Sequence, residues 1–233
     1  MSEILDGLGA AVRLVLTLDP YLIEIALRSL LVTLSAVLIA AAIGLPLGAW
    51  LAVHQFRGRR VLVIALNGLM GLPPVVVGLF VYLLLSRAGP FGVLGLLFTP
   101  TAMILAQVFI LLPLIASIGL QIMSDLWDEY AETLVSLDAS QCQQIRTLLW
   151  EGRHGLLTAA LAGFGRGIGE VGAIMIVGGN IDHATRVLTT AITLETSRGN
   201  FALALGLGMV LIALALLVTT ATHLLARGGR ESA

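Results

Sequence analysis

The chain has 233 residues, of which 58% are hydrophobic and 12% charged, with mean hydropathy +1.01 and a net charge of -1. So few charges cannot cover the surface of a soluble enzyme, and near-neutrality offers no basic face for nucleic acid. All 13 basic residues are arginine, which excludes a P-loop and a Schiff-base lysine, and the single Cys142 excludes an internal disulfide framework. An integral membrane protein remains, and the helical spans read below make it all-α.

Taken in chain order, the first 20 residues open with Met1, Glu3 and Asp6, unlike the basic start of a signal peptide. Ile4, Leu5, Leu8 and Val12 recur at helical spacing until Pro20, which predicts an interfacial helix. A span needs ~20 apolar residues. Uncharged runs of that length predict five: residues 29–53, 61–86, 99–123, 156–177 and 199–226, the last with its core at 201–224. The fourth is interrupted by Arg166 and Glu170. Prolines at Gly44-Leu-Pro46 and Pro73-Pro74 predict kinks, because proline removes a helix hydrogen bond.

Loops numbered alternately place Arg57, Arg59, Arg60, Arg146, Arg153, Arg227 and Arg230 on one side, against Arg13, Arg87, Arg186 and Arg198 on the other. The arginine-rich side is expected to be cytoplasmic. The N-terminus is then outside and the C-terminus inside.

Residues 125–153 form the longest polar stretch and hold six of the 14 acidic residues. Leu126, Tyr130, Leu134 and Leu137 recur on one helical face, and Ser140 with Gln143 fits a capping box. The pattern predicts a helix, a sharp turn near Asp138 and a second short helix. Such a hairpin is long for a simple connection and is expected to dock a cytoplasmic partner, or else to lie on the membrane surface.

Within that hairpin, Glu132-Thr133-Leu134 through Asp138-Ala139-Ser140 resembles the EAA loop of type I ABC-transporter permeases. The match departs from the family pattern in several places. Thr133 and Leu134 stand for two alanines, Asp138 stands for a glycine, and Leu148, Trp150 and Glu151 stand for the usual isoleucine, leucine and proline. Asp tolerates the left-handed turn a glycine would make. Gly44-Leu-Pro-Leu-Gly48 and Gly68-Leu-Met-Gly-Leu-Pro-Pro-Val-Val-Val-Gly78 are similar to the family's core helices. Phe164-Gly-Arg166-Gly-Ile-Gly-Glu170 through Gly-Gly-Asn180-Ile181, with Thr185-Arg-Val-Leu-Thr-Thr-Ala-Ile192 and Leu194-Glu-Thr-Ser-Arg-Gly199, resembles the tungstate-type permeases of the molybdate/sulfate/tungstate branch.

The resemblance covers residues 24–224. It implies a type I importer transmembrane domain between an N-terminal extracytoplasmic segment, 1–23, and a cytoplasmic tail, 225–233. It implies a transport subunit rather than an enzyme, moving a tetrahedral oxyanion, tungstate first and molybdate or sulfate next. The implied partners are a second permease copy, two cytoplasmic ATPase subunits coupled through Glu132, Thr133, Leu134, Asp138, Ala139 and Ser140, and an extracytoplasmic oxyanion-binding protein. No cofactor is expected on this chain, and ATP with Mg²⁺ would bind the ATPase subunits. The absence of lysine fits that division.

Arg166 and Glu170, four apart on a helix and near mid-membrane, either line the anion pathway or form a structural ion pair. Thr189 and Thr190 lie in a threonine-rich outer segment whose hydroxyls either solvate the passing anion or belong to a plain solvated helix. Gly167 to Gly172 spells G-x-G-x-x-G, but no strand precedes it, so no dinucleotide site is expected. An ion-coupled secondary transporter is the rival class. It predicts mid-membrane carboxylates and internal repeats, and only Glu170 qualifies. An intramembrane enzyme would need convergent catalytic side chains, which the sequence does not offer.

Overall fold

The computed structural model describes residue 9 and residues 19–228, with side chains to residue 222. Nearly all of the expected N-terminal interfacial helix lies outside the described residues. Among those described are nine α-helices, one 3-10 turn and no strand. They are α1 (Pro20–Val53), α2 (Arg59–Met70), α3 (Pro74–Leu85), α4 (Pro100–Ser136), α5 (Gln141–Glu151), α6 (Arg153–Ile168), α7 (Gly172–Gly178), α8 (Leu188–Ser197) and α9 (Phe201–Gly228). Helices α1, α4 and the Phe201–Thr222 part of α9 are long and apolar enough to cross a membrane, and the spans number up to five if α2 with α3 and α6 with α7 each count as one.

Local chemistry explains the helix ends. Pro20 opens α1, where its missing N–H costs nothing. Asp19 caps that end, accepting from Tyr21 N at 2.9 Å and Leu22 N at 3.1 Å. The first span therefore starts earlier than residue 29. Along α1, Leu27, Leu31, Leu34 and Leu38 form an exposed stripe at helical spacing. In water such a stripe would be a liability, and it suits an apolar surrounding.

The second and fourth expected spans are each two helices. The second breaks at residues 71–73, between Gly71 and the Pro73-Pro74 pair, and the fourth at residues 169–171. Pro46 and Pro113 lie inside helices that run through them without a break. The third span and the first helix of the hairpin are one continuous helix, since α4 runs past Met123 to Ser136.

The chain divides into two compact units. One collects the described residues among 1–35, 74–107 and 167–233, and the other residues 36–73 and 108–166. In the first, Leu22, Ile25, Leu188, Ala191 and Leu207 form a core shared by α1, α8 and α9. In the second, Ala49, Leu51, Ala52, Leu66, Ala116, Leu120, Met123, Leu148 and Leu156 form the core.

Close backbone approach replaces side-chain packing at Gly48. A Cβ there would lie 2.7 Å from Leu120 N and 2.9 Å from Ala116 O, both backbone atoms that cannot swing aside. Gly48→Leu is expected to cost about 1–3 kcal/mol by overpacking. It should lower the melting temperature of the detergent-solubilised protein, whereas Gly208→Ala, with open space around it, should not.

Candidate functional site

The first candidate site is the hairpin formed by the end of α4 and α5, wholly within the second unit. α4 ends in a Schellman motif. Ala139 N donates to Leu134 O at 3.0 Å and Asp138 N to Val135 O at 3.0 Å, with Asp138 in the left-handed region at φ 51°. The aspartate standing at the family's glycine position thus makes the turn a glycine would make. The capping box at α5 is also present. In it, Gln143 Oε1 accepts from Ser140 N at 2.7 Å and Ser140 Oγ at 2.8 Å, and Gln144 Nε2 donates to Ala139 O at 2.9 Å.

These bonds fix the turn and leave its surface outward. Glu132, Thr133, Asp138 and Ser140 are exposed, Ala139 is half-buried and Leu134 is buried as the anchor. Three large apolar side chains stand exposed beside them: Val135 at 63%, Leu137 at 71% and Trp150 at 66%. Arg153 lies over the Trp150 ring, 4.9 Å from its centre. Leu137, expected on one helical face with Leu126, Tyr130 and Leu134, lies beyond the last turn of α4 and is exposed. Asp138→Val is expected to cost about 1–2 kcal/mol, because a β-branched residue is strained at positive φ. Asp138→Gly should be close to neutral. Amide hydrogen exchange across residues 133–145 reads the difference.

The second candidate site is a buried polar core in the first unit, around the break between α6 and α7. The carbonyl of Gly167, freed where the helix ends, accepts from Glu170 N at 3.1 Å and from the buried Gln107 Nε2 at 2.9 Å. Thr189 Oγ1 donates to Glu170 O at 2.9 Å. Glu170 is buried, and its Oε1 accepts from Ala173 N at 3.2 Å. Thr190 Oγ1 accepts from Val187 N at 3.1 Å and donates to Val187 O at 3.1 Å. In a membrane each freed backbone group must find such a partner.

This arrangement corrects two expectations. Arg166 and Glu170 are not one turn apart on a continuous helix, because α6 ends at Ile168 and α7 starts at Gly172. The predicted ion pair therefore has no helical face to form on, and Glu170 caps a helix start instead. Thr189 and Thr190 do not belong to a solvated helix, since both are buried and their hydroxyls are taken by backbone. Gln107, which the sequence reading passed over, holds the break. Only its position as an amide in an otherwise apolar helix could have flagged it. Arg166, in the second unit, is exposed and has no ion pair among the described residues.

At another end of the first unit, the loop at 179–187 is tied to the start of α1. Glu24 meets Arg28 Nη2 at 2.6 Å and His183 Nδ1 at 2.9 Å. Asp182 meets Arg186 Nη1 at 2.9 Å and accepts from the Tyr21 hydroxyl at 2.6 Å. The Tyr21 hydrogen bond, reinforced by the Arg186 charge, holds the Asp182 carboxyl below the ordinary aspartate range.

Comparison with known proteins agrees with this architecture. A probable anion ABC transporter permease protein of Haloferax volcanii is 41% identical over 193 residues, which is 80% of this chain and 83% of that protein. The tungstate uptake system permease protein of Peptoclostridium acidaminophilum is 38% identical, covering 88% of this chain and 90% of its own. The corresponding tungstate permease of Campylobacter jejuni is 35% identical, covering 97% and 95%. Residues 44–230 match the family described as binding-protein-dependent transport system inner membrane component. With most of its length inside that match and helices long enough to cross a bilayer, the chain belongs to this family of membrane permeases.

Proposed function

We propose that this chain is the membrane subunit of an ATP-driven importer for a tetrahedral oxyanion, tungstate in the first place. The observation that carries the coupling half is the exposed hairpin. Asp125, Asp128, Glu129 and Glu132 crowd the last turns of α4, all exposed and none in an ion pair among the described residues. Asp125 with Glu129 and Asp128 with Glu132 are like-charge pairs four apart on α4, which cost about 0.2–0.5 kcal/mol per pair, so the acids weaken their own helix. An ATPase subunit docking on them and on Val135, Leu137 and Trp150 would repay that cost.

On this reading the arginine-rich side faces the cytoplasm, two copies enclose the path, and a binding protein delivers the anion from outside. ATP and Mg²⁺ bind the ATPase subunits, whose closure moves the hairpins and reorients the path between a few coupled states. The substrate half rests on the two tungstate permeases that cover nearly the whole chain. Of the four residues expected along the path, we assign the anion contact to Arg166, which is exposed and without an ion pair among the described residues. Glu170, Thr189 and Thr190 frame the broken helix that must bend as the path reorients.

The test is reconstitution with the cognate ATPase and binding protein, comparing stimulation of ATP hydrolysis by tungstate, molybdate and sulfate. Tungstate is expected to stimulate at the lowest concentration. Stimulation by sulfate alone would reassign the substrate.

A further inference from the structure

The second unit holds a polar pair that neither the hairpin nor the helix break uses. Asn67, on α2, is exposed, and its side-chain carbonyl accepts a hydrogen bond from the hydroxyl of Ser117 on α4. Leu66, the one buried residue of α2, belongs to the same core as Ala116 and Leu120, so the neighbouring residues are pinned together. Asn67 follows Arg60 by seven residues and Ser117 precedes Asp125 by eight. At 1.5 Å per residue, Ser117 lies about 12 Å along α4 from Asp125, its nearest charge on that helix, and Asn67, bonded to it, lies about 10 Å along α2 from Arg60. Both positions are therefore inside the apolar layer.

With its carbonyl engaged by Ser117, the exposed Asn67 amide keeps two N–H donors that have no partner among the described residues. Donors bare to hydrocarbon are costly, and polar groups at such depth face a water-filled cavity or a bundle interior. Gly68 beside it has open space where a side chain would stand. We infer that the Asn67–Ser117 pair lines the transport path and presents neutral donors to the oxyanion in transit. This rests on the oxyanion-permease reading. The chemistry suits a relay: a neutral amide can replace part of an anion's hydration without the charge that would hold it. Ser117 takes the one group on Asn67 that would repel the anion.

The test is thiol labelling in membrane vesicles from cells carrying the complete transporter. A Cys142→Ser background removes the native exposed thiol. Asn67→Cys and, separately, Ser117→Cys are treated with an anionic and a cationic water-soluble methanethiosulfonate of similar size. Both thiols are expected to react. At residue 117, where the Asn67 amide is kept, the anionic reagent should react about tenfold faster than the cationic one. Protection of both thiols from both reagents would overturn the inference, as would equal rates for the two charges at residue 117. Labelling reports anion access whichever oxyanion is carried. Failure of tungstate uptake by the unsubstituted transporter would count instead against the transport reading.

Discussion

Glu132→Arg is expected to abolish co-purification of an ATPase subunit while the permease still inserts and folds. Glu132 is exposed on the last turns of α4 and takes part in no ion pair among the described residues. Changing it should move the fold by no more than about 0.5 kcal/mol. Positive charge near a helix C-terminus should even help α4 slightly. At an interface the same reversal places like charges together if the partner offers a basic groove. Such changes cost about 2–5 kcal/mol, or roughly 30-fold to several thousand-fold in affinity. Trp150→Ala should weaken the same association by removing an exposed aromatic anchor, the kind of residue that dominates interfaces. Co-purification of the ATPase at normal yield with Glu132→Arg would remove the hairpin from the coupling role.

Arg166→Gln is expected to lower oxyanion uptake by about tenfold or more, equivalent to ~1.4 kcal/mol, with assembly and ATPase docking unchanged. Arg166 is exposed and unpaired among the described residues. An unpaired charge at membrane depth costs a few kcal/mol by insertion scales. Its removal should therefore not harm insertion. What is lost is a planar donor fork suited to the oxygens of a tetrahedral anion. Arg166→Lys keeps a point charge without the fork, and should recover part of the uptake. Uptake by Arg166→Gln at the parent rate would return Arg166 to a purely structural place.

The hairpin was legible in the sequence because its signals are local. The helix period ending near Leu137, the Ser140–Gln143 pair and an aspartate able to adopt positive φ all act within a few residues. The existence of five apolar stretches was legible for the same reason. What was not legible depends on partners distant in sequence or on backbone breaks. The interruption after Ile168 turned an expected Arg166–Glu170 face into a capped helix start. It is held by Gln107, 60 positions before Gly167, and by Thr189 from α8. Hydrophobicity alone reads that stretch as one span, because a break in the membrane is set by which side chains receive the freed carbonyls. Asn67 and Ser117, 50 positions apart, meet beside the core that Leu66 shares with Ala116 and Leu120.

The measurement that bears most directly on the proposed function is uptake of labelled tungstate into proteoliposomes. They would hold the permease with its ATPase subunits, the binding protein on the receiving face and ATP on the other. Accumulation that requires both the binding protein and ATP hydrolysis, and persists when ion gradients are collapsed, is the predicted result. Accumulation driven by an ion gradient without ATP would contradict it and favour a secondary transporter.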